Sequence, residues 1–206
     1  AEDSYANGQW RDGLKYAQLV LEVGRRIGSL SRQAWAWSAQ GHSLWGLGRL
    51  HEALGAANTC VEICRRTQEE RLEMLARALR GRIYADLGEA ALAQADQEYV
   101  TQRAEALGPG QAMGWNFNVR GYQAVLYQDW AAALQLSDRC NALHGFRLCF
   151  FFFFSYVGLD MRAEAAELID LIERGEAVID GRDMPVEKKG DHQWIMGILY
   201  GYLARE

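Results

Sequence analysis

The residues able to do chemistry are few, and their spacing completes no reactive group. Cys60 and Cys64 lie one helical turn apart and would make half of a metal site, yet no second cysteine or histidine pair stands at ligand spacing to complete it. His51-Glu52 opens like a zinc-protease motif, but Leu54 and Gly55 follow where the second histidine belongs. Gly46-x-Gly48 lacks the strand and the third glycine of a nucleotide-binding loop. Asp180, Asp183, Glu187 and Asp191 match no calcium-loop spacing and read as a solvated loop. The residues thus call for no catalytic group, no metal and no cofactor, and the expectation is a chain that binds rather than catalyses.

Composition narrows the classes further. Of the 206 residues, 50% are hydrophobic, enough to bury a substantial core. The 22 basic residues are scattered among 27 acidic ones for a net charge of −5, which disfavours nucleic acid because phosphate binding needs a concentrated positive face. The most apolar window, Leu148 to Val157 with its run Phe150 to Phe154, spans about ten residues where a membrane helix needs roughly 20. A buried helix is expected there, and no membrane partner. Four cysteines in a chain of this length, with no secretory leader before them, point to a reducing cytoplasm.

The elements that position these residues emerge from the glycines. Gly8, Gly48 and Gly88 recur at an interval of 40, with Gln128 next in the series, and Gly41, Gly81 and Gly121 keep the same interval seven residues earlier. Around the first series the chain reads as tight turns in which glycine supplies the left-handed conformation that ends a helix. Helical apolar spacing precedes each turn, as in Ala34, Trp37, Gly41 and Leu44, and follows it, as in Leu50, Ala53, Leu54, Ala57 and Cys60. The repeating unit is a helix A, a turn and a helix B. Small residues mark the close approach of the two: Gly41, Gly81 and Gly121 in helix A, and Gly13, Ala53, Ala93 and Ala133 early in helix B. Two prolines in the whole chain leave these stretches free to be helical.

The predicted pairs lie near 1–28, 31–68, 70–108, 111–143 and 146–179, with a last unpaired helix near 191–204, all in one repeat domain spanning 1–206. The fourth turn slips to Gly158-Leu159-Asp160-Met161, and Asp180 to Gly190 reads as a loop. A chain that opens on Ala1 and breaks off within helix pairs is expected to be cut from a longer array. Its exposed ends can pair with another copy, the last helix offering Trp194, Ile195, Ile198 and Leu199.

The segment Trp37 to Leu54, with a tryptophan four residues before Gly41, then turn glycine Gly48, Leu50 and Ala53, resembles the tetratricopeptide repeat family. The third repeat carries Phe117, Gly121, Trp130 and Ala133 in the matching places. Two departures stand out: Arg77 occupies the place of Trp37, and the proline that usually closes a repeat is missing. The period of 40, longer than the family's 34, is similar to the long-helix variants of bacterial signalling and regulatory proteins. The resemblance implies an all-α solenoid of antiparallel helix pairs wound into a right-handed superhelix, with a concave side lined by helix A.

A groove stripe offset from the one that packs on helix B would then hold Trp35, Ser38, His42 and Trp45 in the first full repeat. Arg82 stands on the stripe in the second repeat, Trp115, Asn118 and Tyr122 in the third, and Phe153 and Tyr156 in the fourth. Aromatics with a few polar anchors suit an extended peptide or an apolar helix. Aromatics at helical spacing also serve as core, so the same stripe fits a surface that the neighbouring repeat buries. The carboxylate clamp of chaperone-adaptor members is not matched, because Ser38, His42, Leu75 and Leu79 stand where its cationic residues would. Two functions follow as expectations: a non-catalytic scaffold that binds a protein or peptide, or the sensor segment of a larger signalling protein (a transcription regulator, signal-transducing ATPase or nucleotide cyclase) that receives a small ligand or its own effector domain.

Overall fold

The computed structural model of the chain describes residues 9–108, 110–144, 151–174 and 197–204. The described residues are all helical or in turns: α1 (Trp10–Arg26), α2 (Leu30–Gly46), α3 (Leu50–Thr67), α4 (Glu70–Asp86), α5 (Ala90–Leu107), α6 (Gly110–Leu126), α7 (Trp130–His144), α8 (Phe151–Gly158), α9 (Arg162–Glu173) and α10 (197–203). Consecutive helices pack antiparallel, as the repeat predicted. None of the described helices is long and apolar enough to cross a membrane. The chain divides into two compact units, Ala1–Asn116 and Phe117–Glu206.

Every second turn was visible in the sequence, and the structure closes five of the turns by one device. Residues with positive φ stand at Gly28, Gly48, Gln68, Gly88, Gly108 and Gln128, one every 20 residues, and then at Asp160. At Gly48 the bonds Gly48 N–H to Trp45 O (2.9 Å) and Arg49 N–H to Leu44 O (2.9 Å) satisfy carbonyls that the helix end would leave bare. The same pair of bonds recurs at Gly28, Gly88, Gln128 and Asp160. The slipped fourth turn is therefore built like the others. Gly8, the segment Phe146–Phe150 and the loop Asp180–Gly190 lie outside the described residues.

In the first unit the core forms between α2, α3 and α4. Ala34, Cys60, Val61, Ile63, Cys64, Leu72, Leu75 and Ala76 form one buried cluster, and Leu44, Ala53, Ala56, Ala57, Leu79 and Ile83 another. Helix α2 also touches α4, so consecutive A helices meet as well as each A and B pair. Close approach explains the glycines. A Cβ on Gly81 would sit 3.4 Å from the Ala93 carbonyl, and one on Gly46 would lie 2.2 Å from the indole of Trp10. Cys60 Sγ donates to the Ala34 carbonyl at 3.2 Å and lies 4.0 Å from Cys64 Sγ; that contact and burial both push the Cys60 thiol pKa up, and both cysteines are free and buried in the core.

The second unit repeats one of these contacts. Gly158 stands against the Trp130 ring as Gly46 stands against Trp10, with a Cβ there 2.3 Å from the indole. Trp10 and Trp130 each open a B helix in the 40-residue register, so the slip in the fourth unit keeps the tryptophan-on-glycine contact. Helix α10, expected without a partner of its own, packs on α9: Leu199 is buried with Ala165 and Ile169, and Arg162 donates to the Leu203 carbonyl at 2.6 Å. Tyr202 donates to Asp160 at 2.6 Å, tying α10 to the turn before α9.

Arg77, the departure from the repeat, is answered by two acids. Its Nε donates to Glu73 at 2.8 Å and its Nη1 to Asp96 at 2.8 Å. Arg80 grips the same Asp96 carboxylate with two bonds of 2.7 Å. Asp96 is 2% exposed, so its charge depends on these guanidinium groups. In the 40-residue register, Glu73, Arg77 and Asp96 correspond to Gln33, Trp37 and Ala56 in the first repeat and to Met113, Phe117 and Leu136 in the third. Acids appear at the two flanking places only where the cation does. A second relation is inverted between repeats: the Arg77 guanidinium stacks 3.8 Å from the Tyr99 ring centroid, whereas 40 residues on Arg139 lies 4.8 Å from the ring of Phe117. Cation and aromatic have exchanged helices while the contact persists.

Two measurements test this packing. Alanine for glycine inside a helix normally stabilises by up to about 1 kcal/mol, which is expected for Gly55→Ala, where an added Cβ meets nothing within 4 Å. Gly46→Ala should instead destabilise by about 1–3 kcal/mol through overpacking against Trp10, with equal urea midpoints for the two variants contradicting the contact. For the ionic group, Arg77→Phe alone should cost about 3 kcal/mol because two buried carboxylates lose a partner. The triple change Glu73→Met, Arg77→Phe and Asp96→Leu should return to within about 1 kcal/mol of the parent. A triple variant no more stable than the single one would refute the account.

Candidate functional site

The expected groove residues part into four groups. Trp35, near the start of α2, is 44% exposed and leans on a hollow of about 350 Å³ that is also lined by Gln68, Glu69, Glu70, Arg71, Leu72 and Leu107. The hollow forms where the α3–α4 turn, with left-handed Gln68, brings the start of α4 beside the end of α5. Its walls are held. Arg71 donates to the Leu107 carbonyl at 2.7 Å, and Arg103 pairs with Glu70. The result is an open apolar recess with an indole at its edge and two carboxylates, Glu69 and Glu70, on its rim. Such a recess can accept an apolar side chain while the carboxylates bond a peptide N–H or a cation.

Trp45 and Arg82, expected on successive A helices, are brought together. Trp45 Nε1 donates to Asp86 at 2.7 Å, and the Arg82 guanidinium lies 5.1 Å from the Trp45 ring centroid while pairing with Asp86 at 3.2 Å. Trp10 meets Trp45 edge to face, with centroids 6.2 Å apart. The indole of α2 is thus flanked by a ring from α1 and by a cation and a carboxylate from α4. This cluster clasps the C-terminal ends of α2 and α4, a part of the fold in which Trp45 is only half-buried.

Ser38 and His42 are a correction to the groove expectation. They are 3% and 1% exposed, because α4 packs against α2 and closes over that part of the stripe. His42 Nδ1 donates to the Ser38 carbonyl at 2.9 Å. Complete burial lowers its pKa to about 4, a drop that the bond to Ser38 only partly offsets. Periodicity placed these two residues on the right helix and the right face. It did not show that the neighbouring A helix would occupy the face.

The remaining expected residues are Trp115, Asn118 and Tyr122 in α6 and Phe153 and Tyr156 in α8. The side chains of Trp115, Asn118, Tyr122 and Phe153 lie outside the described ones. Tyr156 is half-buried and packs at the edge of the α9–α10 core. Sequence reasoning missed Gln68 to Leu72 and Leu107 as neighbours of Trp35. The available signal was Gly108, 20 residues after Gly88, which marks the end of α5 and so the edge of the hollow.

No family model, no curated protein and no solved structure matches the chain.

Burial of His42 generates a pH dependence. In the unfolded chain the imidazole takes up a proton near pH 6.5, whereas in the folded chain it stays neutral down to about pH 4. Between those values the unfolded state binds more protons, so stability falls as pH drops through the window and is unaffected by this group above it. The full loss comes to about 3 kcal/mol. Urea midpoints measured from pH 7.5 to 4 should fall less steeply in His42→Gln than in the parent; parallel curves would contradict the assignment.

Proposed function

We propose that the chain is a non-catalytic scaffold that binds a protein or peptide partner, with Trp35 as the anchor of the contact. The observation that carries this reading is the half-exposed indole on the edge of an open recess about 350 Å³ in volume. Exposed tryptophans beside a recess bury large area at little entropic cost and dominate binding energy where they are used. The recess takes one or two apolar side chains of an extended segment, with Glu69 and Glu70 placed to bond its backbone N–H groups. The tetratricopeptide resemblance supports the same reading, since that family binds peptides with successive A helices, and Trp35 and Leu72 come from two of them. The stripe is narrower than periodicity implied: Trp35 carries it in the first full repeat, with Ser38 and His42 in the interior.

Selection of binding peptides from a displayed library, followed by fluorescence anisotropy on the purified chain, tests the proposal. Trp35→Ala should weaken the selected peptides by about 2 kcal/mol, roughly thirtyfold in Kd, with an unchanged melting temperature. Peptides whose affinity ignores Trp35→Ala would place binding elsewhere and sink the proposal.

A further inference from the structure

The recess beside Trp35 holds part of a grouping that the chain completes elsewhere. Three times a ring and a carboxylate stand together, and an arginine of the same chain lies over the ring. Trp45 donates to Asp86, and Arg82 lies 5.1 Å from the indole centroid and pairs with Asp86 at 3.2 Å. Arg77 lies 3.8 Å from the Tyr99 ring centroid and donates to Glu73 at 2.8 Å. Tyr202 donates to Asp160 at 2.6 Å, and Arg162 lies 5.2 Å from the Tyr202 ring centroid. A guanidinium suits such places because it is planar: its face stacks on the ring while its N–H edge donates to an oxygen.

At the recess the ring and the carboxylate are present without the cation. Trp35, 44% exposed, and the half-buried Glu69 line the same hollow of about 350 Å³. Glu69 stands at the start of α4 but makes no capping bond with its side chain. No hydrogen bond or ion pair joins its carboxylate to a described residue, and no described arginine or lysine lies over the Trp35 ring. The cations close by are engaged: Arg71 donates to the Leu107 carbonyl, and Arg103 pairs with Glu70. The recess belongs to the unit Ala1–Asn116, and the residues of that unit outside the described ones, 1–8 and 109, include no arginine or lysine. No part of the unit therefore supplies the missing cation.

We infer that the recess recognises an arginine of a partner peptide, stacked on Trp35 and paired with Glu69, while an adjacent apolar side chain enters the hollow against Leu72 and Leu107. This rests on the reading of the recess as the binding site. The same chemistry sets the selectivity. A lysine keeps the charge but lacks the flat face, and an acidic side chain would meet Glu69 and Glu70.

Two displayed libraries of otherwise random peptides test the inference on the full chain, one with leucine and arginine fixed side by side at the centre, the other with leucine and glutamate. The arginine library should yield peptides that Trp35→Ala weakens, and the glutamate library none. Those peptides are then synthesised and titrated by fluorescence anisotropy. Glu69→Gln in the chain, and citrulline for arginine in the peptide, should each raise Kd about tenfold, and both together little more than either alone, with the melting temperature of the variant unchanged. Trp35-dependent peptides drawn equally from both libraries, or Kd values that ignore Glu69→Gln, would overturn the arginine assignment while keeping the recess as a binding site. Absence of Trp35-dependent peptides from both libraries would overturn the binding reading and this inference with it.

Discussion

A helix of this chain can only be as long as the distance between two left-handed residues. At Gly28, Gly48, Gly88, Gln128 and Asp160 such a residue turns the backbone, returns its own N–H and the next one to the preceding turn of helix, and releases the chain in the opposite direction. Because left-handed residues stand every 20 residues from Gly28 to Gln128, the helices between them have nearly equal length, and their side chains meet in the same register from pair to pair. The contacts of Gly41 with Leu79 and Ala53, and of Gly81 with Ala93, follow from that equality. Gln68, Gln128 and Asp160 adopt the left-handed conformation without being glycine, at a cost of about 1–2 kcal/mol each. The tertiary structure overrides local preference there, because a turn at any other residue would shift every contact after it.

Equal geometry leaves each pair free to differ in chemistry. One place in helix A is filled by Trp37, Arg77 or Phe117, and the packing around it changes accordingly. Where it is Arg77, Glu73 and Asp96 neutralise it, Arg80 shares Asp96, and Tyr99 covers the guanidinium. Where it is Phe117, the covering group is Arg139. Buried charge of this kind adds little net stability compared with apolar packing. What it does determine is which helix faces match.

Most of the framework was legible in the sequence because it is written in one residue type at one interval. Gly48 and Gly88 announce two turns, and Gly41 and Gly81 announce the close approach of A and B. The intervening turns were harder to read: Gly28 and Gly108 are in register, but Gln68 between them is not a glycine, so that series is interrupted where a polar residue takes the strained conformation. Trp35 and Ser38 share one stripe of α2, and nothing in their spacing separates them. The separation arises from α4, which covers the middle of α2 and leaves its first turns open, a fact of packing between repeats rather than of periodicity within one. Arg77 looked like a defect in the pattern because its partners, at i−4 and i+19, stand on two helices.

The mismatch between helix faces bears on how the chain avoids folding wrongly. Repeats of equal length and similar shape invite swapped pairings, in which an A helix settles beside the B helix of another unit and traps the chain. Asp96 and Arg77 work against that outcome. If α4 lodged beside Leu19, Val20 and Val23 of α1, or α2 against Asp96 of α5, buried carboxylates or guanidinium groups would be left without partners, and the misassembled state would lie well above the native one. The ionic group in the middle of the first unit thereby acts as a proofreading mark, distinguishing one helix pair from its neighbours while the chain is still choosing among them.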